Sequence, residues 1–142
     1  MDAKAALATA ESVETISHEG RIVCVLVRSQ PMPEVTRFYT APDLPMQFGK
    51  IVYPAGSRIA RHSHRKVTRS FAETTEVLVV QKGRVVVDVY SDDRTFLCSR
   101  ELEAGDVIVQ ITGGHGFEFA EDTVLLEIKQ GPYLGDQEKV PF

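Results

Sequence analysis

The chain has 142 residues, 43% of them apolar and 25% charged, with 20 acidic against 16 basic side chains and a net charge of −4. That length suits one domain with a single core, and the mild acidity argues against a nucleic acid or an anionic membrane surface as the main partner. No apolar run approaches the roughly 20 residues that a membrane helix needs. The alanine-rich start carries Asp2 and lacks the apolar block of a secretory signal, so the cytoplasm is the expected location.

Residues 1–20 are expected to form an N-terminal tail or short helix, since Ala3, Ala5, Ala6, Leu7 and Ala8 favour a helix. His18-Glu19-Gly20 reads as a turn. The remainder, 21–142, is expected to be one β-domain. Arg21–Arg28 is an apolar, β-branched run bounded by charge, the mark of a buried strand. Pro31, Pro33, Pro42 and Pro45 make 29–45 a connecting segment. Met46–Tyr53 and Arg58–His64 are the next predicted strands, with a turn at Pro54-Ala55-Gly56. Residues 65–75 form a long polar loop, a type more often functional than one of median length.

Strands are then predicted at Glu76–Gln81, Arg84–Tyr90, Thr95–Arg100, Val107–Ile111, Phe117–Ala120 and Thr123–Lys129. Gly113-Gly114-His115-Gly116 makes a tight corner between two of them. About ten short strands at regular spacing indicate an all-β sandwich or barrel. Cys24 and Cys98 sit in apolar or strand-like surroundings without CxxC spacing and read as reduced, buried thiols.

Three of the four histidines gather where predicted strands meet glycine turns. His62 and His64, two apart on an expected strand, share a face. His115 follows a strand in its glycine corner. Glu76 opens a strand on the same face as Leu78 and Val80, so it points inward, and a buried carboxylate needs a metal or cationic partner. Glu73, in the polar loop, is the competing carboxylate. Imidazole and carboxylate together suit one divalent transition metal held by His62, His64, Glu76 and His115. Zinc, iron, manganese, nickel and copper all accept such a set, and open coordination positions would admit water or substrate.

The order of these residues resembles the two signatures of the cupin superfamily. Gly56, five residues, His62-x-His64, then Glu76, six residues and Gly83 follow the first signature, with eleven residues between His64 and Glu76 where the family has three or four. Gly105, Gly113 and His115 follow the second, with Ile111 in the place of proline, one residue fewer before the histidine, and Phe119 in the place of asparagine. The resemblance implies a cupin-type double-stranded β-helix, or jelly-roll barrel, that usually forms a homodimer. The Gly113–Phe117 corner and Glu127–Tyr133 are further similar to small bacterial cupins encoded beside surface-polysaccharide genes. That likeness suggests a carbohydrate ligand.

Other side chains could complete a pocket. Tyr53 and Arg58 flank the Gly56 turn, and Arg58 shares a predicted face with His62 and His64, where it could bind an anion. Arg69 belongs to the basic edge of the long loop. Glu127 and Lys129 share a face of the last strand. The leading functional expectation is a metal-binding cupin with a pocket for a small polar ligand, acting as a sugar or nucleotide-sugar isomerase or epimerase. The alternatives are a non-catalytic small-ligand-binding or sensor protein and a metal-dependent dioxygenase. No nucleophile triad and no phosphate-cradling loop is visible.

Overall fold

A computed structural model describes residues 12–142. The fold is all-β and antiparallel. Ten strands run in chain order: β1 Val13–His18, β2 Arg21–Val27, β3 Arg37–Phe38, β4 Gly49–Lys50, β5 Glu76–Lys82, β6 Arg84–Tyr90, β7 Phe96–Glu103, β8 Val107–Gln110, β9 Gly114–Phe119 and β10 Val124–Lys129. A single 3-10 turn, Gly135–Glu138, lies in the C-terminal segment. No helix among the described residues is long and apolar enough to cross a membrane.

Five strands form one sheet in the order β1-β2-β8-β5-β10, three form a second in the order β7-β6-β9, and β3 pairs with β4. Alternation along the strands fills the space between the two larger sheets. Val85, Val87 and Val89 of β6 face Cys24 and Leu26 of β2, Leu78 and Val80 of β5, and Ile108 of β8 in one buried cluster. The opposite face of the five-stranded sheet buries Val25, Val27, Val77, Val107 and Val109. Tyr39, Leu44, Met46 and Phe48 of the proline-rich connection pack over it. A sheet covered on both faces demands unbroken apolar strands, which is why Val23–Val27 and Val107–Ile111 do not alternate with polar residues, save Gln110.

Two latches hold the ends. The buried Asp106 carboxylate accepts from the Arg28 guanidinium at 2.9 Å and from the backbone amides of Ser29 at 2.8 Å and Glu103 at 3.1 Å. Across the sheets, Arg100 of β7 donates through Nε and Nη2 to the Glu14 carboxylate of β1. Cys24 is buried and Cys98 half-buried, both as free thiols, and burial pushes the Cys24 thiol up to about 12.

Three sequence expectations need correction. Val13–His18 is a strand rather than part of a tail or short helix, because Val13, Thr15 and Ile16 pair along β2. Residues 1–11, which carry the alanine run, lie outside the described residues. Met46–Tyr53 reduces to the two-residue β4, whose only partner is the equally short β3. Arg58–His64 forms no strand: it lies within a solvent-facing segment that has no sheet neighbour. The strands of the two larger sheets otherwise fall on or close to their predicted positions, except that β9 begins at Gly114, so that His115 lies in a strand paired with β6 rather than in a corner.

Candidate functional site

At one end of the space between the sheets, the inward faces change from apolar to polar. On β5 the inward series Val80, Leu78 ends in Glu76. On β8 the series Ile108 ends in Gln110. On β10 the series Leu125 continues to Glu127 and Lys129. The registers place Glu76 opposite both Gln110 and Lys129. One row across three strands therefore reads Gln110, Glu76, Lys129. The second sheet contributes His115, Phe117 and Phe119 from β9, which join the same cleft of about 1300 Å³.

The two sheets meet at His115 and Glu76, where Nε2 and Oε2 lie 2.9 Å apart. The His115 imidazole, helped by the neighbouring Glu127, holds the Glu76 carboxyl down to about 2, against the opposing effect of burial. Glu127 is pushed above the usual carboxylate range, first by its hydrogen bond to Glu76. Of these two acids Glu76 is thus the one held ionised, and Glu127 the one pushed toward the protonated form. Lys129 lies 3.8 Å from Glu127 and 3.3 Å from Glu138 of the C-terminal segment, so the cationic wall is also paired.

Against the ionised Glu76, Nε2 is the donating nitrogen of the ring, and in the neutral tautomer of that arrangement Nδ1 holds a lone pair. His115 Nδ1 is buried and has no hydrogen-bond partner. Gln110 presents a second such atom: its Nε2 donates to Thr112 O at 2.5 Å while its buried Oε1 is unpartnered. Two electron-pair donors stand unsatisfied in one cleft. Buried polar atoms of this kind are rare without a ligand, ion or water to meet them.

His115 owes its position to the glycine before its strand. Gly113 has φ +69°, and a Cβ there would lie 2.1 Å from the backbone oxygen of Tyr90. Only glycine makes this turn into β9 without moving β6. The Gly113 amide also donates to Asp92 at 2.8 Å, and Asp92 accepts from Arg21 at 2.7 Å.

Of the residues singled out from sequence, the fold brings together His115, Glu76, Glu127 and Lys129. It does not bring His62 or His64 to them. Both are exposed, with ring centroids 5.2 Å apart, and His62 Nδ1 meets only Ala60 O at 2.9 Å. Tyr53, Arg58 and Arg69 are exposed on the same segment. Glu73 is taken up in an ion pair with Arg21. Among the described residues, no group of three or more His, Cys, Asp or Glu side chains is placed to hold a metal ion. Gln110, Phe117 and Phe119 were missed in the sequence. The signal for Gln110 was present: it is the single polar residue in Val107–Ile111, at the parity of the buried Ile108.

Compared with family models, curated proteins and solved structures, the chain matches none. The local chemistry therefore carries the functional argument.

Proposed function

We propose that the cleft around His115 binds a small polar ligand together with one divalent transition metal, in a protein of cupin type. The observation that carries this is the pair His115–Glu76. A carboxylate that fixes one imidazole nitrogen and leaves the other as a buried lone pair is the arrangement in which histidine serves as a metal ligand with an outer-shell carboxylate. The residues present fit a metal in kind: His115 Nδ1 and Gln110 Oε1 are unsatisfied donors. Their number is short, and His62 and His64 are the further imidazoles that would complete the set. A metal bound there would supply Lewis acidity toward a carbonyl or hydroxyl.

The rest of the chain supplies recognition. Lys129 donates hydrogen bonds to oxygens of a ligand, Glu127 offers its carboxyl to a hydroxyl, and Phe117 and Phe119 offer a stacked aromatic wall, their centroids 6.4 Å apart. Hydroxyl-rich and carboxylate-bearing molecules satisfy both. A sugar or nucleotide-sugar ligand, with isomerase or epimerase chemistry, is the version that this mixed polar and aromatic lining favours. A non-catalytic ligand-binding or sensor protein would use the same contacts. A dioxygenase would need a redox-active metal in the same place.

Elemental analysis of protein purified without chelators tests the metal. The expected result is about one metal per chain in the wild type and none in His115→Ala. Thermal-shift screening of sugars and nucleotide-sugars then tests the ligand class, since a ligand of the native state raises the midpoint. A flat response across all of them would rule out the carbohydrate version.

A further inference from the structure

The segment between β4 and β5 is long and basic and, among the described residues, has no sheet to join. Residues 53–74 are all exposed, including Tyr53, Ile59, Val67 and Phe71 at 44–62%. Their hydrogen bonds are local, from Ser57 to Pro54, between His62 and Ala60, and from Arg69 to Val67, until Glu73 pairs with Arg21. The segment is nonetheless tied down at both ends, at Val52 through Thr36 and at Glu73 through Arg21. A segment with no ladder partner among the described residues and with exposed apolar side chains is a template for pairing.

The matching vacancy is on β9. Among the described residues it has one hydrogen-bonded neighbour, β6, and no strand on its other edge. We infer that Arg58–His64 of a second copy of this chain adds to that edge as an antiparallel strand, so that each cleft is completed by its partner's His62 and His64. The pairing itself needs no metal. Its meaning for the cleft rests on the functional reading above.

Direction and register follow from the side chains. Antiparallel pairing sets the histidine end of the segment against the His115 end of β9, whereas parallel pairing would carry it toward Phe119. With His64 opposite His115, His62 falls opposite Phe117 and Ala60 opposite Phe119, all on the face that lines the cleft. The outward residues then match as well, with Arg61 opposite Glu118 and Ser63 opposite Gly116. Opposite charges directly across an antiparallel pair stabilise it. A one-residue slip would turn both histidines away from the cleft.

Charge favours the same docking. Residues 51–75 carry Arg58, Arg61, Arg65, Lys66 and Arg69 against the single acid Glu73, a net +4 in a chain of net −4, which leaves −8 on the rest. A basic arm therefore meets an acidic body. Within its own chain that arm stands away from the sheet although anchored at both ends, and a second copy presents an identical free edge. Reciprocal exchange about a two-fold axis satisfies both arms and both edges at once and closes the assembly.

Cysteine cross-linking of the full-length chain tests this without any metal. Ser63→Cys alone and Gly116→Cys alone are mixed as two purified variants under mild denaturation and refolding, then oxidised. The expected product is a disulfide-linked dimer on a non-reducing gel, absent when either variant is oxidised by itself. Arg61→Cys mixed with Glu118→Cys repeats the test at the next outward pair, which covers a failure of the first pair to fold. The double variant Ser63→Cys/Gly116→Cys in one chain distinguishes exchange from closure. Linked dimers support exchange, and a linked monomer overturns it. Absence of any cross-link at both pairs also overturns it. Because metal is left out, failure here is separate from failure of metal binding to the wild type.

Discussion

His115 Nε2 lies 2.9 Å from Glu76 Oε2, and that contact joins the edge strand of the three-stranded sheet to the central region of the five-stranded one. It sets one ring nitrogen against a carboxylate and leaves Nδ1 buried without a hydrogen-bond partner among the described residues. Glu76→Gln keeps an acceptor for the imidazole but removes the charge. Outer-shell losses of this kind typically weaken metal binding by roughly 10–100-fold. That drop is expected in a competition titration, with an unchanged circular dichroism spectrum. Unchanged affinity would mean that Glu76 does not orient His115.

The Gly113 corner can be tested by stability alone. A Cβ at this position meets the Tyr90 carbonyl at 2.1 Å with φ +69°, whereas a Cβ on Gly116 meets nothing within 4 Å. Gly113→Ala should cost about 2–3 kcal/mol or more, from strain and the displacement of β6. Gly116→Ala should lie within about 0.5 kcal/mol of wild type. Urea unfolding of the two variants makes the comparison, and equal midpoints would contradict the geometry.

Asp106 is buried beneath Arg28 and accepts two backbone amides. Asp106→Asn turns a donor toward groups that are themselves donors, so at least one stays unsatisfied. The expected loss is about 2–4 kcal/mol in denaturant unfolding. Arg28→Met should cost less, because that side chain is partly solvated at 32% exposure.

Acid sensitivity should report the clasp between β1 and β7. The Arg100 hydrogen bonds hold the Glu14 carboxyl below its ordinary value of 4.5. A depressed carboxylate contributes stability above its unfolded pKa and loses it as pH falls through the folded one. Both side chains are about a third or more exposed, so the contribution is roughly 0.2–1 kcal/mol. The stability gap between wild type and Arg100→Gln should therefore be constant near neutral pH and shrink below about pH 4.5. A gap that widens in acid would contradict this account.

Much of the β-architecture was legible because burial writes itself into composition. Arg84–Tyr90 carries four valines in seven residues, and Ile22–Val27 is continuously apolar because its sheet is covered on both sides. Parity also pointed Glu76 inward, and the structure sets it against His115 on the facing sheet. Arg58–His64 sets its two histidines at strand spacing, yet pairing depends on an available edge, which no local pattern encodes. Val13–His18 was obscured by the alanine run before it, although Val13, Thr15 and Ile16 are better strand residues than helix residues. Gln110 was hidden by its apolar neighbours.

Zinc titration of the full, metal-depleted chain by calorimetry tests the central claim most directly. The account predicts one site per chain in the wild type, and its loss in His115→Ala at unchanged secondary structure. Equal stoichiometry and affinity in the two proteins, or no binding to the wild type, would contradict it.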